Sequence, residues 1–233
     1  MKVALVTGGS RGIGAATVEQ FANNGYSVIL NYNKSESEAR ALQARLCSEG
    51  RDVHLFKADV SDIGQIKNMF DFVYKYFKKL DVLVNNAGIA ISNQIQDVSE
   101  EEYDRIMDTN VKGAFFCCQQ ALALLNKSNA ASIVNVSSIW GIEGASCESV
   151  YSMSKHALTG LSRSLAEELE STNIAVNCIC PPIVLTDMSK GYSADEIQKF
   201  CKETSTRAYT PTEIAQEIYR LAMSRNNGQI LKL

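Results

Sequence analysis

Apolar residues along the chain follow two alternating rhythms. Short continuous apolar runs recur, and between them lie longer segments whose apolar positions return every three or four residues. Lys2–Thr7 is the first run; a glycine-rich stretch follows, then a helical pattern to about Asn24, where Gly25 stops it. Ser27–Asn31, Asp52–Lys57, Asp81–Asn85, Ser132–Ser138 and Ile174–Cys180 repeat the strand signal, and Gln229–Leu233 fits a last short strand. Helical spacing covers Ser35–Glu49, Ile63–Phe77, Glu100–Leu125 with a break expected near Asn110, Ser149–Ser171, Ala194–Glu203 and Thr212–Ser224. In Ser149–Ser171 the positions Ala157, Leu158, Leu161, Leu165 and Leu169 keep the helical period.

Strands alternating with helices of this length predict a parallel sheet covered on both faces. Right-handed crossovers then make a doubly wound α/β fold, a single domain over residues 1–233. In such sheets ligands sit beyond the carboxyl ends of the strands. The glycine loop, Asp59, Asn85–Gly88, Ser138 and Pro181–Thr186 all fall there.

Bulk properties narrow this reading without redirecting it. The 233 residues are 45% apolar, enough for one large domain, and only three prolines and no low-complexity run argue against a linker. A net charge of −3 speaks against general nucleic-acid binding. No apolar stretch reaches the ~20 residues of a membrane helix, and the opening residues run straight into the glycine loop, so a cytoplasmic protein is expected. The seven cysteines include the neighbours Cys117 and Cys118 and the alternating Cys178 and Cys180. Neither spacing suits zinc, and only His54 and His156 are available as histidine ligands, so no metal site is expected.

The candidate chemistry lies in two places. Gly8, Gly12 and Gly14 stand between a predicted strand and a predicted helix, where a backbone without Cβ can approach a pyrophosphate and the helix N-terminus favours anions. Farther on, Tyr151 and Lys155 are four residues apart and share one helical face, with Ser138 upstream. A lysine ammonium ~4 Å from a phenol, at an effective dielectric of ~20, favours the phenolate by ~4 kcal/mol. That is roughly three pKa units. His156 points about 100° away around the helix and is read as structural or solvated.

The pattern Thr7-Gly8-x-x-x-Gly12-x-Gly14, with Asn85-Asn86-Ala87-Gly88, Asn110, Ser138, Tyr151-x-x-x-Lys155, and Asn177-x-x-x-Pro181 followed by Thr186, resembles the short-chain dehydrogenase/reductase family across nearly the whole chain. The resemblance implies a Rossmann-type fold and a nicotinamide-dependent oxidoreductase acting on a carbonyl or alcohol. It implies that Tyr151 exchanges the proton, that Lys155 lowers the tyrosine pKa and holds the nicotinamide ribose, and that Ser138 positions the substrate oxygen. Asn110 is implied to kink its helix and support a water relay. The implied cofactor residues are Gly8, Ser10, Arg11, Gly12, Ile13, Gly14, Asn33, Lys34, Asp59, Val60, Asn86, Ala87, Gly88, Tyr151, Lys155, Pro181, Ile183 and Thr186. The second strand ends in Asn31-Tyr32-Asn33-Lys34 with no acid for a ribose 2′-hydroxyl, while Arg11 and Lys34 would attract a 2′-phosphate. NADP(H) is therefore expected over NAD(H).

Within the family the chain is most similar to bacterial 3-oxoacyl-acyl-carrier-protein reductases. It departs at Pro182, where glycine is usual, at Thr172, where a basic carrier-docking residue is usual, and after Gly228, where a longer tail is usual. The run from Ser137 to Glu148 is similar to a branch that reduces the 5-aminopentanone modification of an elongation factor. There Trp140, Glu143 and Glu148 suit a cationic substrate, or equally a packed lid with solvated acids. A non-catalytic dinucleotide-binding regulator is the reading from another class, opposed by the intact set Asn110, Ser138, Tyr151 and Lys155. The family also implies a homodimer or homotetramer.

Overall fold

The computed structural model describes residues 1–233. Its strands are β1 (Lys2–Val6), β2 (Tyr26–Tyr32), β3 (Val53–Lys57), β4 (Val82–Asn85), β5 (Ala131–Val136), β6 (Ile174–Cys180) and β7 (Ile230–Lys232). All pairings are parallel, in the order β3-β2-β1-β4-β5-β6-β7. The helices are α1 (Gly12–Asn23), α2 (Glu36–Ser48), α3 (Ile63–Phe77), α4 (Glu100–Met107), α5 (Gly113–Leu125), α6 (Ser149–Glu168), α7 (Ala194–Glu203) and α8 (Pro211–Met223).

The apolar runs form strands because both their faces are covered. Along β1, Ala4 and Val6 pack with β2, α1, α2 and α8, while Val3 and Leu5 pack with α3, α5 and the end of α6. The register Leu5↔Ile29 and Val6↔Leu30 keeps each face continuous. Buried asparagines also bind the sheet: Asn85 Nδ2 donates to Asn135 Oδ1 at 2.9 Å, and Asn135 Nδ2 donates to Ser162 on α6 at 2.8 Å.

Two features of the chain's course bear on the site. The break expected near Asn110 is present, as a π-turn at Asp108–Lys112 that separates α4 from α5. Beyond β6 the chain makes an excursion closed at its base, where Val184 pairs with Tyr209, Leu185 N–H donates to Tyr209 O at 2.9 Å, and Tyr209 N–H donates to Ile183 O at 3.0 Å. That excursion holds a short 3₁₀ turn, Asp187–Ser189, and α7, none of whose residues is buried. No helix is long and apolar enough to cross a membrane.

Candidate active site

The sheet order reverses direction between β1 and β4, and the segments leaving the two strands part there. Gly8, Ser10 and Arg11 form the turn into α1, which begins at Gly12 and carries Ile13 and Gly14 in its first turn. Gly8 has φ +62°, and a Cβ on it would come within 3.0 Å of Ala87 Cα. Gly12 has φ +52°, and a Cβ there would lie 3.2 Å from the Thr186 methyl. Side chains would fill this cradle, whereas bare backbone N–H groups at a helix start suit a pyrophosphate.

Three polar residues brace the cradle from beneath. Asn31 Oδ1 accepts from Gly8 N–H at 3.2 Å, and its Nδ2 donates to Ala58 O at 3.0 Å. Thr7 Oγ1 accepts from the N–H groups of Asn86 and Ala87, each at 3.0 Å. Asn86 Nδ2 returns donors to Thr7 O at 2.9 Å and Gly8 O at 3.1 Å. Asn86 thus directs its side chain at the glycine loop. Asn85, buried between β4, β5 and α5, donates to Asn135 and to Cys118 Sγ, so its side chain joins strands. Asn177 likewise ties β6 to the turn before β7, through Asn226 O at 2.7 Å and Gln229 N–H at 2.9 Å. Strand alternation gave no signal of the bracing by Asn31 and Thr7, whereas a strand-tying role for Asn85 is one its sequence position allows.

Asn33 and Lys34 are exposed past β2. Asn33 Nδ2 donates to Asp59 Oδ2 at 2.7 Å, joining the ends of β2 and β3. Burial alone would raise the Asp59 carboxyl, but hydrogen bonds from Ser61 and Asn33 outweigh it and hold it below its usual range. Val60 is buried, beside Gly113.

A cleft of about 700 Å³ opens at the carboxyl ends of the strands. Ile13, Ser138, Tyr151, Pro181, Ile183 and Thr186 are on its walls, together with Ile91, Tyr192 and Phe200. Trp140 meets Phe200 edge-on, their centroids 5.4 Å apart, so the excursion beyond β6 packs over the loop leading to Tyr151. Sequence periodicity did not single out Phe200, which lies on an amphipathic helix whose docking is set by tertiary structure.

Ser137 and Ser138 both line the cleft but differ in their partners. Ser138 Oγ accepts from Trp140 N–H at 3.2 Å. Ser137 Oγ donates to Lys155 O at 2.8 Å and is structural. The Lys155 ammonium, 4% exposed, donates to Val136 O at 2.9 Å and lies 5.7 Å from the Tyr151 ring centroid. Fully buried Asn110 accepts from Ile89 N–H at 2.8 Å and donates to Ile89 O at 2.9 Å and Ser154 Oγ at 3.0 Å. His156 is exposed, with Nδ1 2.9 Å from Ser152 O.

The expected lowering of the tyrosine by lysine does not set its level here. Burial pushes the Tyr151 phenol up to about 12, with the nearby Ser138 hydroxyl pulling the other way. Burial also depresses the Lys155 ammonium to about 8. A bare coulombic attraction between the two side chains leaves out this desolvation, which opposes charge on both groups. At neutral pH the site therefore offers a protonated phenol beside a hydroxyl, a donor pair for a carbonyl oxygen.

The acids upstream of Tyr151 divide as well. Glu143 pairs with Lys232 on β7. Glu148 is on the cleft wall, and burial raises its carboxyl. Pro182 is on the cleft wall too.

The short chain dehydrogenase family pattern matches residues 2–197. A Staphylococcus aureus 3-oxoacyl-acyl-carrier-protein reductase is 37% identical over 96% of this chain and 92% of its own. Its Chlamydia muridarum counterpart is 34% identical over 100% of this chain and 95% of its own. Among solved structures, a metagenomic blue fluorescent protein in complex with NADPH superposes with TM-score 0.93 at 31% identity, covering 100% of this chain and 96% of that one. A Burkholderia cenocepacia short chain dehydrogenase in complex with NADP gives TM-score 0.92 at 32% identity, with coverage of 100% and 96%. The chain belongs to the short-chain dehydrogenase/reductase family. It is an NAD(P)-dependent oxidoreductase acting on CH–OH and C=O groups.

Proposed function

We propose that this protein is an NADPH-dependent carbonyl reductase whose leading substrate class is the 3-oxoacyl thioester of an acyl carrier. The observation that carries the reading is that Ser138 and Tyr151 line one cleft with Ile13 of the glycine-loop helix, and that the Lys155 ammonium lies behind the Tyr151 ring, 5.7 Å from its centroid. The similarity to carrier-protein reductases supports the substrate class. Arg11 and Lys34, with no acid in the run Asn31–Lys34 that ends β2, support a 2′-phosphate, as do the NADP(H) complexes of similar structures.

The glycine loop and α1 N-terminus would hold the pyrophosphate, Asp59 and Val60 the adenine edge, Asn86–Gly88 the adenosine wall, and Pro181, Ile183 and Thr186 the nicotinamide. The nicotinamide, when bound, supplies the hydride. Ser138 Oγ and Tyr151 Oη hold the substrate oxygen between them, and Tyr151 Oη gives it a proton as negative charge develops. Lys155 stabilises the phenolate left behind. In the opposite direction the phenolate takes the proton back. Asn110 fixes Ile89 and Ser154, and through them the walls around Lys155. Tetramer or dimer formation accompanies this reading by family likeness, as does a place in the cytoplasm.

Glu148 favours a second reading. Its partly buried carboxylate has no ion-pair partner and stands on the cleft wall near Tyr151. A ketone bearing a distal ammonium, as in an aminopentanone-modified lysine, would supply the missing charge.

NADPH oxidation measured against a panel of 3-oxoacyl thioesters and amino-ketones distinguishes the two. Thioester turnover supports the first reading, and selective amino-ketone turnover the second. Tyr151→Phe is expected to lower kcat by about 10²- to 10⁴-fold while NADPH still binds. Near-normal turnover by that variant would overturn the proton-transfer assignment.

A further inference from the structure

Arg11 is the residue immediately before α1, and its backbone is extended at φ −145° and ψ 166°. Its side chain makes no capping bond to the helix. Instead the guanidinium reaches the chain beyond β6, where Nη1 meets Asp187 Oδ2 at 3.3 Å. Asp187 opens the 3₁₀ turn at the start of the excursion beyond β6. Only one residue earlier, Thr186 lies over Gly12. The Arg11–Asp187 pair thus links the glycine loop to this turn, where the Thr186 methyl fills the space a side chain on Gly12 would need.

The ion pair is built to be exchanged. Both side chains are about half exposed, at 55% for Arg11 and 45% for Asp187, so the attraction is weak. Asp187 has a second cation, Lys190, to remain with. Glu38, on the first turn of α2, also feels Arg11 and is an additional acid in its neighbourhood. A phosphate dianion offers the guanidinium a fork of oxygens that a single carboxylate oxygen does not match. Arg11 cannot give its full fork to both.

We infer that Asp187 is a carboxylate competitor for the cofactor's 2′-phosphate at Arg11, so that seating a 2′-phosphorylated dinucleotide withdraws Arg11 from the turn at Asp187–Ser189. The inference rests on the reading of Arg11 as a 2′-phosphate ligand. It makes Asp187 a residue that sets cofactor preference from the substrate side of the cleft. It also gives the excursion a means of responding to which nicotinamide is bound, since only the 2′-phosphorylated form calls on Arg11.

The test is a double-mutant cycle of Asp187→Asn and Arg11→Gln, with NADPH and NADH titrated at low and high salt. Asp187→Asn is expected to tighten NADPH about three- to fivefold at low salt and to leave NADH within about twofold. In the Arg11→Gln background the same change should have no effect on NADPH. If Asp187→Asn weakens NADPH or leaves it unchanged, the guanidinium serves both anions and the competition is refuted. Equal tightening in the Arg11→Gln background would reduce the effect to bulk charge and refute the competition as well. The underlying cofactor reading fails separately, if Arg11→Gln alone leaves the NADPH-to-NADH preference intact. Adenosine 2′,5′-bisphosphate, which carries the phosphate without a nicotinamide, supplies a second readout. It should speed amide exchange at residues 187–190 of the unmodified protein and not in Asp187→Asn. An unchanged exchange rate in the unmodified protein would overturn the release of the turn.

Discussion

Lys155 holds its ammonium where only one carbonyl, Val136 O, accepts from it, and burial brings its pKa from 10.5 to about 8. Between those two values the unfolded chain binds a proton that the folded protein does not, so this group makes stability climb as pH rises through that window. Below it, the folded protein bears the cost of a buried ammonium in full. Lys155→Met is therefore expected to stabilise the protein by about 1–2 kcal/mol at pH 7 while removing turnover. The gain should shrink as pH moves from 8 to 10, as read by urea denaturation without cofactor. A gain that stays constant with pH, or a loss at pH 7, would refute the account. Tyr151, Lys155 and Ser138 were legible in the sequence because their spacing survives as spacing on a helix and at a strand end. Their proton affinities were not, because desolvation depends on what packs around them. Asn31 and Thr7 were illegible for a related reason: their value lies in hydrogen bonds to residues far along the chain, such as Asn31 to Gly8 and Thr7 to Asn86.

At the scale of elements, the break near Asn110 was readable as a break but not as a π-turn. The extra residue in that turn lets a polar side chain face inward from a stretch that continues into α5. Asn110 then joins the loop after β4 to α6, through three hydrogen bonds to Ile89 and Ser154. Asn110→Ala is expected to cost about 2–4 kcal/mol, because Ile89 N–H and C=O lose their buried partner together. Thermal or urea unfolding measures this, and a cost under half a kcal/mol (about the spread of surface substitutions) would remove the bracing role. The strand and helix cores of the sequence reading coincide with the structure over α3, β6 and α7, where apolar period and end signals agree. The short 3₁₀ turns at Ile139–Gly141 and Asp187–Ser189 carry no periodic signal, and both sit on the cleft.

Across the whole molecule, burial is uneven. Every residue of β2, β4 and β5 is buried, whereas α7 buries none. Opening free energies should follow that contrast. Amide exchange over α7, residues 194–203, is expected to be the fastest of any helix, and to slow when cofactor and a ketone occupy the cleft together. Exchange in α7 as slow as in α6 would contradict this. The parallel sheet and its ligand edge followed from alternation alone, because covering both faces of a sheet is a global demand that each strand records locally. The seat of α7 against Trp140 did not, since an amphipathic helix records only that it has an apolar side and not what it lies on.

The pairing of Val184 with Tyr209 gives the excursion a consequence of its own. A segment whose two ends meet at a clasp can change in length and composition without pulling on the sheet below. Tyr151 and Lys155 stand on α6 and Ser138 just past the end of β5, all outside that clasp. The part of the cleft wall around Met188, Tyr192 and Phe200 can thus be recast in length and shape while the sheet and α6 keep Ser138, Tyr151 and Lys155 where they are.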